Sequence, residues 1–320
     1  MNVIDIFCGC GGLSYGFVKE GYRIVRAFDN WDAAINVYNE NFLHSAEKID
    51  AYCLTSDYIK SLNPNMIIGG PPCQDYSSAG KRDENGGRAD LTRRYAEIIS
   101  EVRPKWFVME NVDRISKSET LQKAIKIYKE SGYGLSKAIL DASLCGVPQK
   151  RRRFFLIGEL DGEDGFLSTE LIARQSNKSM TVYDYLKNEF GIEYYYRHPR
   201  SYQRRGIFSI YEPSPTVRGV NRPIPPGYKL HKGDATQNIS NIRSLTMLER
   251  ARIQTFPETF RFIGSKTDIE QMIGNAVPVE LAAYVARILR DYILSKEEFC
   301  KVPIEKQVRF KKKNEQITFF

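Results

Sequence analysis

The feature that most constrains this chain is the apolar run Met66-Ile67-Ile68 leading into Gly69-Gly70-Pro71-Pro72-Cys73-Gln74. Such a run reads as a short buried strand. Two glycines and two prolines stop it, and each proline fixes its own φ and restricts the residue before it. One thiol, Cys73, therefore sits on a stiff backbone just past a sheet edge. It is either a nucleophile or a structural cysteine in a Pro-rich turn.

The amino-terminal segment supplies a context. Asn2 to Phe7 reads as a strand, followed by Cys8-Gly9-Cys10-Gly11-Gly12 and an amphipathic helix from near Leu13 or Ser14. Strand, glycine loop and helix open a nucleotide-type α/β unit. Ser14 stands where the dinucleotide fingerprint has its third glycine, and no Gly-Lys-Ser/Thr follows, so a ligand with an adenosine but no phosphates suits the loop better. A second strand, Tyr22 to Phe28, ends at Asp29, twenty residues after Gly9. A carboxylate there takes both hydroxyls of a ribose, or else caps the helix running from Asp32 to Phe42. Asp50, after a weaker segment from Ala46 to Ile49, and Asp57 compete for the adenine amino group.

Gln74 to Asp90 is a long polar loop, read as a lid over an active site or as plain surface. A helix over 92–102 precedes the strand Lys105 to Met109, which brings Glu110-Asn111-Val112 to the same edge as Cys73. A helix from Glu119 to Ser131 and a strand from Tyr133 to Asp141 follow. Gln149-Lys150-Arg151-Arg152-Arg153 then leads into the strand Phe154 to Ile157, and alternation places Gln149, Arg151 and Arg153 on one face with Lys150 and Arg152 on the other.

From Asp161 to about Tyr211 the periodicity fades, and Tyr183, Tyr185, Tyr194, Tyr195, Tyr196 and Tyr202 mix with Arg197, Arg204 and Arg205. This pattern fits a nucleic-acid surface and equally a small core with a basic rim. Arg243-Ser244-Leu245-Thr246 with Glu249 starts a short helix closed off by Pro257. Gly274-Asn275-Ala276-Val277-Pro278 opens an amphipathic helix with Leu281, Val285, Ile288 and Leu289 on one stripe. The tail from Lys296, with Lys311-Lys312-Lys313, is expected to be loosely held.

Composition adds bounds. A chain of 320 residues with 42% hydrophobic content can bury a large domain and a smaller one. No stretch approaches the roughly 20 apolar residues that span a bilayer, and no basic leader opens the chain, so no membrane partner and a cytoplasmic location are expected. Six cysteines without a CxxC pair, far from three histidines, suggest neither a metal site nor a disulfide framework. The net charge of +8 suits a polyanionic partner.

Six motifs in this order resemble the cytosine-C5 DNA methyltransferase family of the bacterial restriction-modification kind. They are Asp5-Ile6-Phe7-Cys8-Gly9-Cys10-Gly11-Gly12-Leu13-Ser14, Gly70-Pro71-Pro72-Cys73-Gln74, Glu110-Asn111-Val112, Gln149 to Arg153, Arg243 to Pro257, and Gly274 to Pro278; the resemblance runs from Asn2 to about Leu294. It implies an α/β fold, the Rossmann-like sheet of S-adenosylmethionine-dependent methyltransferases with a smaller target-recognition domain. The corresponding division is 1–159 plus 262–295 for the catalytic, cofactor-binding domain, 160–261 for target recognition, and 296–320 for a basic C-terminal tail.

The resemblance further implies methyl transfer from S-adenosylmethionine, giving S-adenosylhomocysteine, to C5 of a flipped-out cytosine in a specific sequence of double-stranded DNA, through a covalent Cys73–C6 intermediate. Glu110 would act at N3 and Arg153 at O2, with Arg151 and Gln149 shaping the pocket. Cofactor contacts would come from Phe7, Gly9, Gly11, Gly12, Leu13, Asp29, Asn30, Asp50, Pro72, Leu91 and Asn275. DNA contacts are expected from Ser77, Lys81, Arg82, Arg197, Arg200, Arg204, Arg205 and Arg218. Asn30 departs from the bulky residue common at its position, with Trp31 one place late, and Ala89 stands where glycine is usual. The chain is expected to act as a monomer beside a cognate restriction endonuclease. A tRNA cytosine-C5 methyltransferase and a catalytically silent DNA-binding regulator are the alternatives.

Overall fold

The computed structural model describes residues 1–72, 90–201, 203–296, 301–309 and 317–318. Cys73, the expected lid from Gln74 to Asp90 up to residue 89, with Ser77, Lys81 and Arg82, then Tyr202, and Lys311 to Lys313 lie outside the described residues.

Five strands, β1 Asn2–Ile6, β2 Arg23–Asp29, β3 Ala46–Lys48, β4 Met66–Gly69 and β5 Trp106–Val112, are linked by helices α1 Gly12–Lys19, α2 Asp32–Asn41, α3 Ser56–Ser61 and α4 Asp90–Val102. They run parallel. Helix α5 Glu119–Glu130 leads to β6 Tyr133–Asp141, the short β7 Gln149–Lys150, and β8 Arg152–Leu160. The main sheet has the order β3-β2-β1-β4-β5-β8-β6. In it β8 is antiparallel to both neighbours.

Alternation explains why this sheet is covered on both faces. Met66 and Ile68 of β4 and Trp106 and Val108 of β5 enter one core layer, with Phe17 of α1. Ile67, Phe107 and Met109 enter the other, with Tyr95 and Ile99 of α4 and Tyr128 of α5. Every second side chain thus serves the same layer, as strand geometry requires. Strand order reverses between β1 and β4, and an open α/β sheet leaves its ligand crevice at that switch point, outside the carboxyl ends of the strands.

The later chain adds α6 Ser168–Ala173, α7 Val182–Leu186, an antiparallel ribbon of β9 Tyr194–Tyr196 and β10 Ile207–Ser209, and β11 Ser214–Pro215 beside β7. Tyr195 and Tyr196 are each 1% exposed, so in this aromatic stretch they are core. Helix α8 Met247–Ile253, strand β12 Phe262–Ile263, helix α9 Lys266–Asn275 and helix α10 Val279–Leu294 follow. The segment from Lys266 to Leu294 is apolar and long enough to span a bilayer by composition, but it breaks into two helices, and 78% of its most apolar window is buried inside the protein.

Several expected boundaries shift for physical reasons. β1 stops at Ile6 because Phe7 turns to a φ of +67°, out of the extended region. β8 begins at Arg152, taking in part of the basic run, because it pairs with β6 from Arg152 and with β5 from Arg153 onward. The loosely held tail is corrected for residues 301–309, where Gln307 and Val308 are each 3% exposed. β13 Ile317–Thr318 runs parallel beside β12.

Asp5, in the middle of β1, is fully buried, and its Oδ2 accepts a hydrogen bond from Ser14 Oγ at 2.6 Å. Burial pushes its carboxyl up to about 8 from an ordinary 3.8. The folded state then keeps a proton that the unfolded chain has lost, so stability falls as pH rises from about 4 to about 8 and levels off above that. Urea unfolding of Asp5→Asn beside the parent checks this: the difference should move in favour of the variant between about pH 5 and about pH 8. A constant difference over that range contradicts a neutral buried Asp5.

Candidate active site

Two halves of a site meet at the carboxyl edge of the sheet. In the first half, β5 carries Glu110 and Asn111 to its end. Because β8 runs antiparallel to β5, its beginning lies there as well, with Val112 opposite Arg153. Arg153 Nε is 2.8 Å from Glu110 Oε1, with side chains 14% and 10% exposed. Burial pushes the Glu110 carboxyl up, and the charges of Arg153 and Arg151 draw it partly back. A Cβ added at Gly70 would lie 3.3 Å from Glu110 Oε2, so the carboxyl stands directly against the turn that leads to Cys73. Asn111 Nδ2 donates to Pro71 O at 3.0 Å and ties the same turn to β5.

The alternation expected over 149–153 holds: Gln149 and Arg151 are buried while Lys150 and Arg152 are exposed. The buried pair, expected to shape a pocket, is engaged in clamping. Gln149 Nε2 donates to Gln254 Oε1 at 2.7 Å, and its Oε1 accepts from Val217 N at 2.8 Å. Arg151 donates to Val217 O at 3.0 Å, Gly274 O at 3.0 Å and Ala276 O at 3.1 Å. Three remote segments are thus fastened behind Arg153. Gln254, which extends the clamp to Ile273 O and Ala276 O, was not singled out from the sequence, although it falls within the motif Arg243 to Pro257.

The second half is a cavity at the ends of β1, β2 and β3. Among the residues lining it are Phe7, Asp29, Asn30, Asp50, Pro72 and Leu91, all expected there, with Phe28, Ile49, Ala51 and Leu54 as an apolar wall. The wall residues Ile49, Ala51 and Leu54 carried no sequence signal. Asp29 Oδ2 accepts from Gly9 N at 2.8 Å and Oδ1 from Trp31 N at 3.0 Å, so one carboxylate fastens both loops. Burial pushes its carboxyl up. Gly9 has a φ of +53° and open space where a Cβ would stand. Asp50 lines the cavity; Asp57 does not, lying instead in the first turn of α3.

The other expected cofactor residues lie elsewhere. Gly11, Gly12 and Leu13 are buried and do not line the cavity, and a Cβ at Gly12 would come within 2.3 Å of Val277 O. Asn275 is exposed at the end of α9, where its Oδ1 accepts from Gln271 at 2.9 Å. Pro72 lines the cavity and Asn111 holds Pro71, so the same turn touches both halves.

Beyond the cavity, Arg200 and Arg204 are exposed. Arg197 donates to Thr216 O at 2.9 Å, and Arg218 donates to His198 O. Burial and the neighbouring Arg218 and Arg200 push Arg197 down to about 10. His198 is pushed down by its own burial and by Arg222, Arg218 and Arg197, which places Arg222, absent from the sequence reading of DNA contacts, in the same cluster. Arg205 is paired with Glu212 and lies 4.3 Å from the centre of the Phe208 ring.

This architecture is the S-adenosylmethionine-dependent methyltransferase fold. The chain superposes on the Entamoeba histolytica methyltransferase EhMeth with a TM-score of 0.69 at 21% identity, over 93% of this chain and 99% of that one. It superposes on S. pombe Dnmt2 methyltransferase with a TM-score of 0.67 at 19% identity, over 91% and 98%. The family model for C-5 cytosine-specific DNA methylase matches residues 1–290. The chain belongs to that family and is a DNA (cytosine-5-)-methyltransferase. It is 55% identical to type II methyltransferase M.HindV of Haemophilus influenzae over 295 residues, covering 91% of this chain and 97% of that protein. It is 51% identical to type II methyltransferase M.HgiDI of Herpetosiphon aurantiacus over 295 residues, covering 92% and 95%.

Arg151→Met should leave the carbonyls of Val217 and Gly274 without this donor, while Ala276 O keeps its bond from Gln254, and lower the unfolding free energy by about 3 kcal/mol. Urea denaturation measures this; a loss below about 1 kcal/mol would be too small for a buried clamp.

Proposed function

We propose that the enzyme transfers a methyl group from S-adenosylmethionine to C5 of a cytosine flipped out of a specific sequence in double-stranded DNA, through a covalent bond between Cys73 and C6. The observation that carries this reading is the turn from Gly70 to Pro72, which has the Glu110–Arg153 pair against one side and the Asp29 cavity on the other. The cavity suits an adenosine: a carboxylate for ribose hydroxyls beside the apolar surface of Phe28, Ile49 and Leu54. When bound, S-adenosylmethionine supplies an electrophilic methyl group.

C5 of cytosine is a poor nucleophile. Addition of the Cys73 thiolate to C6, with N3 protonated, turns the ring into an enamine whose C5 can accept a methyl group. Glu110, raised by burial, supports the role of N3 acid, and Arg153 holds Glu110 in place while offering donors to the cytosine O2. Loss of the C5 proton then expels Cys73 and restores the ring. Burial pushes the thiols of Cys8, Cys10 and Cys145 up, leaving them protonated and poor nucleophiles.

Residues 160–261 are proposed as the target-recognition domain, packed on a catalytic domain of 1–159 plus 262–295. Arg197, Arg200, Arg204 and Arg218 would contact DNA there, phosphate contacts giving affinity and base edges giving sequence. Ser77, Lys81 and Arg82 are proposed to join them. The type II names of the relatives support a place in a restriction-modification system, with a cognate endonuclease, in the cytoplasm.

Purified protein with labelled S-adenosylmethionine should label duplex DNA and leave tRNA unlabelled; label confined to tRNA overturns the proposed substrate. Cys73→Ser should reduce turnover by at least about a thousandfold while changing S-adenosylhomocysteine affinity by less than about twofold, as a covalent nucleophile requires. Arg200→Ala should lower the slope of log affinity for DNA against log salt by about one. An unchanged slope removes Arg200 from the phosphate contacts.

A further inference from the structure

We propose that residues 301–309 are a positioning element for the cofactor site, an inference that rests on the proposed use of the glycine loop. The family model matches residues 1–290, and this segment follows it. It is nonetheless built into the sheet edge. Gln307 Nε2 donates to Tyr22 O at 2.7 Å, and its Oε1 accepts from Ile24 N at 3.1 Å, so one amide satisfies the start of β2 on both sides. Gln307 O accepts from Leu43 N at 2.9 Å, and Arg309 N donates to Asn41 O at 2.7 Å.

Between those two bonds Val308 forms an antiparallel bridge with Phe42. Phe42 is fully buried, with its ring centre 4.2 Å from that of Tyr38. The same ring lies under the glycine loop, where a Cβ at Gly11 would be 2.4 Å from Phe42 Cε2. Gly11 has a φ of +99°, a conformation that glycine adopts freely and that neighbouring packing must hold. Tyr38 reaches the same helix start by donating to Ser14 Oγ at 2.8 Å. The contacts run continuously from Gln307 through Val308 and Phe42 to Gly11. Residues 301–309 hold Phe42 against Gly11 and so keep the loop in the shape in which Gly9 N holds Asp29 at the cavity wall.

Gln307→Met keeps the side-chain length and removes both amide bonds. Its KM for S-adenosylmethionine and its Kd for S-adenosylhomocysteine should rise about three- to tenfold, the fold-change that one or two neutral hydrogen bonds are worth, with kcat at saturating cofactor unchanged. A merely structural loss would lower kcat with the fraction folded and leave KM alone; that result, or unchanged cofactor affinity, overturns the proposal. Amide hydrogen exchange over residues 8–14 of the ligand-free protein gives a second reading: faster exchange in Gln307→Met supports the proposal and unchanged exchange overturns it. A wild-type protein that fails to bind S-adenosylhomocysteine would count against the cofactor site itself, and the exchange measurement would still decide whether 301–309 restrain the loop.

Discussion

The ion pair between Glu110 and Arg153 is the interaction on which the candidate active site depends. A carboxyl this buried loses most of its hydration, and the guanidinium at 2.8 Å compensates part of that loss. The pair exists because β8 is antiparallel to β5: the first residues of one strand reach the last residues of the other, and the register sets Val112 opposite Arg153. A parallel β8 would have delivered its arginines to the opposite edge. The single antiparallel insertion in the order of the sheet is thus tied directly to the chemistry at its edge.

A layer of polar clamps keeps that edge in place. Gln149 and Arg151, on the same face of the chain as Arg153, satisfy main-chain groups at 217, 274 and 276 that the sheet cannot reach. Asn111 does the same for Pro71, and Asp29 for Gly9 and Trp31. Buried donors and acceptors are costly when unpaired, so these residues determine where the loops lie. Alternate residues of one short segment therefore do different work: Arg153 pairs with the proposed acid, and Arg151 fixes the loops around it.

Much of this was legible in the sequence because it rests on local rules. The buried runs Met66-Ile67-Ile68 and Trp106-Phe107-Val108-Met109, the glycines at 9 and 11, and the alternation from Gln149 to Arg153 each follow from backbone geometry and burial. Six expected residues line the cavity for the same reason, since strand ends are readable. What was not legible depends on partners distant in sequence. The clamping bonds of Arg151 involve carbonyls near residues 217 and 275, and the apolar wall of Ile49 and Leu54 exists only once α3 folds back. Nor does charge composition show that a basic tail contains one glutamine whose amide fits between Tyr22 and Ile24.

Glu110, Arg153 and the cavity all converge on a turn whose next residue is Cys73, and the central claim is that this thiol attacks cytosine. Incubation with S-adenosylmethionine and duplex DNA carrying 5-fluorocytosine at the target position tests it most directly, because fluorine at C5 cannot leave as a proton does and the adduct stalls. Peptide mass spectrometry should find the modified nucleotide on Cys73. An adduct on another residue, or none under conditions where the same protein methylates ordinary cytosine, contradicts the account.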